Sequence, residues 1–180
     1  MSLAEVPVWG RAQRLGHWLL AGCVLACLVL SEGGTWHLRL GYAALAIATW
    51  RTLRGLIGAP GERFSHFVRG PARTWAYWQA LRHGLEPRHL GHNPLGAWMI
   101  LALLSATLLA GVTGALYNTD RFWGDALTYR LHQIGGWAFA VLVPLHLLGV
   151  ALTSILQREN LVRAMLTGRK RPPGPGDVAP

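Results

Sequence analysis

The chain has 180 residues, one domain in length, of which 52% are apolar and only 14% charged. A soluble domain carries roughly 25% charged residues, so this composition and a mean hydropathy of +0.28 point to a bilayer. The formal charge of +9 raises nucleic acid as a partner, but its distribution along the chain argues against that class.

Four apolar runs divide the sequence; the first, third and fourth are near-unbroken and close to the roughly 20 residues that cross the hydrocarbon, and the second, interrupted by Arg39, Arg51 and Arg54, is weaker. The first, about residues 14–31, follows Arg11 and Arg14. It is expected to remain as an uncleaved anchor, because Ser31-Glu32-Gly33-Gly34 is a poor cleavage site. Cys23 and Cys27 within it read as buried small hydrophobes rather than a disulfide. The second run, about 36–57, follows a turn containing Gly33-Gly34, so the pair must be an antiparallel hairpin. Arg39, Arg51 and Arg54 fall near its ends, where long side chains reach the headgroups.

The connection 58–93 is long for a bundle. Pro71 opens a segment, 72–83, with Trp75 and Trp78 at helical spacing and arginines between. This predicts an interfacial helix with the tryptophans and Tyr77 at headgroup depth, an ordinary loop helix being the alternative. Asn93 is a good N-cap and Pro94 a good first residue for the third run, 94–117. The fourth run, about 127–156, contains Pro144, which is expected to bend it. Residues 171–180 are rich in Pro and Gly and are expected to be a disordered tail.

Arg51, Arg54, Arg63, Arg69, Arg73, Arg82 and Arg88 lie at or in the second connection, against Glu62 and Glu86. Arg158, Arg163, Arg169, Lys170 and Arg171 follow the last run, whereas the other connections are near neutral. Positive charge marks the cytoplasmic side, and the basic loop suits anionic membrane lipid better than nucleic acid. The expected fold is an all-α membrane protein: an antiparallel four-transmembrane-helix bundle, N-in/C-in, with a cytoplasmic interfacial helix between spans two and three. Residues 1–170 form its single domain.

Two histidines share the fourth run. His132 and His146 are fourteen residues apart, about 21 Å along a helix and within about 40° of one face. An ionisable side chain inside a span is a functional-site hypothesis by default. Depth pairs His37 with His132 near the outer side and His17 with His146 near the inner side. Two bis-histidine pairs at different depths suit two stacked haems, neutral imidazole being an axial ligand to haem iron. Zinc or copper would need the histidines converged on one ion.

Gly135 and Gly136 follow His132 by three and four residues, Gly149 follows His146 by three, and Gly41 follows His37 by four. Missing side chains there let a flat macrocycle lie against the helix, although small residues also serve close helix packing. Arg14, Arg39 and Arg130 lie near histidines and suit haem propionates, or equally the headgroups. His66, His83 and His89 read as solvated loop residues. His92, at a helix entrance, suits a propionate contact or a helix-end hydrogen bond.

The ordered set Arg14-Leu15-Gly16-His17-Trp18, His37 with Gly41-Tyr42, Phe64-Ser65-His66-Phe67-Val68-Arg69-Gly70-Pro71, Leu90-Gly91-His92-Asn93-Pro94-Leu95-Gly96 and the His132/His146 pair resembles the bacterial cytochrome b561 family. That family includes the b-type cytochrome subunits of nickel–iron hydrogenases, and the resemblance covers about residues 7–165. It implies a bacterial inner-membrane bundle with two non-covalent haems b on His17, His37, His132 and His146, passing electrons between quinones and a redox partner. The chain particularly looks like compact members associated with small c-type cytochromes. Some four-helix relatives oxidise superoxide and reduce quinone, which supplies a second reading, of enzyme class. A third, a haem-free transporter or assembly factor, predicts a colourless preparation.

Overall fold

The computed structural model describes residues 5–179, and in it every apolar run is a helix. In chain order the elements are β1 (Val6–Pro7), α1 (Arg11–Val29), α2 (Thr35–Ile57), a 3-10 turn (Pro60–Glu62), α3 (Phe64–Phe67), α4 (Pro71–Arg82), α5 (Pro94–Tyr117), α6 (Ala126–Leu156), α7 (Leu161–Thr167) and β2 (Arg169–Lys170). α5 begins as the sequence predicts: the Asn93 side chain accepts from the Gly96 N–H at 2.7 Å, satisfying one of the orphan donors of the first turn. α6 runs unbroken through Pro144.

Among the described residues, α1, α5 and α6 are long and apolar enough to cross a membrane. α2 has 23 residues but carries Arg39, Arg51 and Arg54 and does not reach that hydropathy. The surfaces agree with lipid contact: Val29 is 83% exposed and Ile155 71%, a display of large apolar side chains that water would penalise. The buried apolar positions are mostly small, Ala44, Ala48, Ala97 and Ala106 among them, which lets helix backbones approach closely.

The described residues form two compact units. The second, residues 15–53 and 101–144, is made of segments of α1, α2, α5 and α6. Gly33 and Gly34, at φ +88° and +90°, form the turn between α1 and α2; only glycine adopts that conformation without strain. α1 and α2 run antiparallel, with Gly16 against Trp50 and Cys27 against His37. α5 meets α2 where Gly111 faces Leu45, and α6 where Gly135 faces Ala110.

The first unit comprises residues 5–14, 54–100 and 145–179. β1 pairs antiparallel with β2, Val6 opposite Lys170 and Pro7 opposite Arg169, an element that the helical reading of the sequence did not contain. The tail corrects another expectation. Although rich in Pro and Gly, it is held: Val178 exchanges backbone hydrogen bonds with Arg88 and Leu90 at 2.8 and 3.0 Å, and Asp177 pairs with the Arg88 guanidinium. Composition makes such a segment flexible only while nothing binds it.

α4 also departs from expectation. Trp75 and Trp78 are exposed, but Tyr77 is buried, its ring edge-on to His89 at 5.4 Å, so it faces the protein. His89 is consequently half-buried rather than a solvated loop residue.

Lys170, the chain's single lysine, is 4% exposed. Its ammonium donates to the His89 carbonyl at 3.1 Å and lies 5.6 Å from the Trp9 ring centre. Burial pushes its pKa down to about 8, with Glu159 pulling the other way. The unfolded chain therefore holds the extra proton between pH 8 and about 10.5, and this residue makes stability rise with pH across that window. Tyr77, pushed up to about 12 by burial, acts with opposite sign only above about pH 10. The thermal midpoint is expected to climb between about pH 8 and about pH 10, and Lys170→Met to flatten the climb. An unchanged slope in the variant refutes this assignment.

Candidate haem site

The α1–α2 hairpin sets His37, in the first turn of α2, beside the end of α1. Its Nδ1 lies 3.2 Å from the Cys27 carbonyl, and the Cys27 thiol reaches the His37 carbonyl at 3.6 Å. Both cysteines are free thiols. On α6, His132 Nδ1 lies 2.8 Å from the Ala110 carbonyl of α5. A carbonyl only accepts, so each Nδ1 must donate, and each Nε2 is left with its lone pair. That arrangement orients a histidine for metal ligation, a backbone oxygen fixing both tautomer and ring direction.

The two rings face each other across the second unit, centroids 6.0 Å apart and planes at 72°. One iron bonded by both imidazoles at about 2 Å sets ring centres about 6 Å apart, so the separation fits a shared ion. A Cβ added at Gly41 or Gly136 would meet nothing within 4 Å. These glycines lie one turn beyond His37 and His132, and the open flanks admit a planar ring beside both ligands. Among the described residues no cluster of three or more His, Cys, Asp or Glu could hold a metal ion. The residues present fit a haem.

Other expected site residues take different places. Gly135 is a packing glycine: an added Cβ would fall 2.8 Å from the Ala110 Cβ and 2.9 Å from its backbone nitrogen, so α5 fills the space that the sequence offered to a macrocycle. Gly149 meets nothing within 4 Å. Arg14 is engaged elsewhere, donating to the Leu166 carbonyl in the last turn of α7, where a cation meets the negative end of the helix. His92 lies between Trp9 and Phe67, each with its ring centroid at 4.5 Å. Arg39 lies over the Trp36 ring at 5.4 Å. His17 sits in the second unit with its ring edge-on to Trp18 at 5.1 Å, and His146 belongs to the first unit and is half-buried.

One site residue escaped the sequence reading. A Cβ on Gly114 would lie 2.9 Å from His132 Cε1 and 3.0 Å from Nδ1. Gly114 is one turn after Ala110, where the Ala110 carbonyl points, so its missing side chain gives the imidazole access to that oxygen. The signal was Gly111-Val112-Thr113-Gly114 on the facing helix, legible only once α5 is known to face α6. Gly114→Leu is expected to displace the His132 ring and cut haem retained after purification by up to half, with helix content by circular dichroism unchanged. Full haem retention would show that the contact is dispensable.

Apolar outward-facing helices and an imidazole pair of this spacing fit a membrane b-type cytochrome. The chain belongs to the prokaryotic cytochrome b561 family, whose model matches residues 8–168. It is 23% identical over 216 residues, 93% of this chain and 87% of the relative, to a probable Ni/Fe-hydrogenase B-type cytochrome subunit of Cupriavidus necator (strain ATCC 17699 / DSM 428 / KCTC 22496 / NCIMB 10442 / H16 / Stanier 337). No solved structure matches it. The chain is thus a haem-binding membrane cytochrome of electron transport.

Proposed function

We propose that the chain is a four-span, inner-membrane di-haem cytochrome b, with both termini and the basic connection cytoplasmic, carrying electrons between the quinone pool and a redox partner such as a c-type cytochrome. The observation that supports it most directly is the pair His37 and His132, centroids 6.0 Å apart, each with Nδ1 held by a backbone oxygen. A haem b bound there supplies a one-electron iron couple. The chain's own residues bind and orient: His37 and His132 hold the iron, the Cys27 and Ala110 carbonyls keep both Nε2 atoms unprotonated, and Gly41 and Gly136 leave room for the ring. Residues 1–170 make up the single functional domain in this reading.

His17 and His146 are assigned to the second haem from the sequence, as the remaining histidines within the helical runs at matched inner depth. α2 is taken as the fourth span, its arginines reaching the headgroups from near its ends. The name of the Cupriavidus relative raises a nickel–iron hydrogenase as another class of partner.

Haem quantification is expected to give two haems b per chain. A quinol is expected to reduce them, and an oxidised c-type cytochrome to reoxidise them. One haem per chain would refute the second site. Reduction by superoxide faster than spontaneous dismutation, with no exchange with the c-type cytochrome, would favour the superoxide:quinone oxidoreductase.

A further inference from the structure

We propose that the start of α4 and the first turns of α5 form a binding site for one anionic phospholipid, its headgroup on Arg69 and Arg73 and an acyl chain in the adjoining tryptophan-lined groove. The inference rests on the membrane location argued above but not on either haem. A shallow hollow of about 290 Å³ is lined by residues 68–73, including both arginines. It shares Pro71 with a second hollow of about 430 Å³, lined also by Thr74, Trp75, Trp78, Leu95 and Trp98. The arginine-lined and tryptophan-lined hollows therefore adjoin at Pro71, as the two ends of a phospholipid require.

The electrostatics favour an anion. Arg69 and Arg73 are exposed, and neither side chain has an ion-pair partner among the described residues. α4 has no acidic residue in its first turn and no side-chain cap at Gly70, so no acidic side chain at the start of the helix offsets these arginines. The groove is held open by its own hydrogen bonds: Trp98 Nε1 donates to the Arg69 carbonyl and to Thr74 Oγ1, both at 3.1 Å. That fixes the indole of α5 against the start of α4 and leaves its face as a wall. Trp75, 60% exposed, offers apolar area that water would penalise and an acyl chain would cover. Trp98 opens a helix apolar enough to span the bilayer, so the groove begins where acyl chains begin. Charge complementarity and this continuity commit the site to a phospholipid rather than to a protein segment.

The test is native mass spectrometry of the haem-loaded protein after detergent exchange in equal amounts of phosphatidylglycerol and phosphatidylcholine. Two arginines, each contributing about a factor of five near a membrane surface, predict one retained phosphatidylglycerol favoured about twenty-five-fold over phosphatidylcholine. Arg69→Gln/Arg73→Gln is expected to bring the ratio near one, and Trp75→Ala/Trp78→Ala to lower retention of both lipids. Equal retention by the wild type, an unchanged preference in the arginine variant, or release of the lipid by inorganic phosphate would each overturn the proposal. The reduced-minus-oxidised haem spectrum of the same samples separates this outcome from failure of the haem assignment: the arginine variant is expected to keep it.

Discussion

Replacing His132 with alanine is expected to remove, in the proposed di-haem arrangement, one haem outright, and His37→Ala the same one. The two rings lie 6.0 Å apart, centre to centre, so in the proposed site both imidazoles would hold the same iron. Loss of either leaves a single imidazole to hold that haem, and no cluster of three or more His, Cys, Asp or Glu exists among the described residues to replace it. The reading is direct: haem per chain falls by half, and the same component of the reduced-minus-oxidised spectrum disappears in both variants. His17→Ala and His146→Ala are expected to spare that component. Different components lost from the His37 and His132 variants would show that these imidazoles do not share an iron.

The second large effect lies far from the haem ligands. Arg88 pairs with Glu159 and Asp177, the three side chains being 11%, 8% and 12% exposed. Its guanidinium also donates to the Arg171 carbonyl at 3.0 Å and the Pro172 carbonyl at 3.3 Å. Planar guanidinium matches such a crowd of acceptors better than an ammonium does. Arg88→Ala leaves two nearly buried carboxylates without their main counter-charge, a change that costs about 3–5 kcal/mol when a buried pair is broken from one side. Arg171, 3.6 Å from Glu159, recovers part of that for one carboxylate. The expected result is a lowered denaturation midpoint, with proteolysis in the segment after Lys170 while the haem spectrum of intact chains is retained. A wild-type midpoint would show that the cluster is better solvated than its burial indicates.

What the sequence made legible was what depends on neighbours along the chain. Hydropathy runs located α1, α2, α5 and α6, and Asn93-Pro94 marked the start of α5, because a helix and its cap are decided within a few residues. The pairing of His37 with His132 followed from depth, which span length and the charge of the connections fix together. What stayed hidden depends on which residues meet across the fold. Gly135 was read as a ring-facing glycine because it lies on the histidine's own helix; Ala110, on another helix, takes that space. Gly114 could not be ranked above any other glycine until its distance to His132 was known. Arg88, Glu159 and Asp177 are separated by 71 and 89 positions, and single charges in loops carry no sign of their partners. The short pairing of Val6–Pro7 with Arg169–Lys170 had no alternating pattern long enough to announce a strand.

That last pairing bears on how the molecule is made. Residues 6 and 7 leave the ribosome some 160 positions before 169 and 170 exist, and the Arg88 cluster likewise waits for Asp177. The residues of the second unit, 15–53 and 101–144, are all synthesised by then. Closing so long a loop is slow compared with forming local helix. The His37–His132 pair can therefore assemble during synthesis, whereas β1, β2 and the tail latch shut only at its end, leaving the ends of the chain as the last part of the protein to become resistant to a protease.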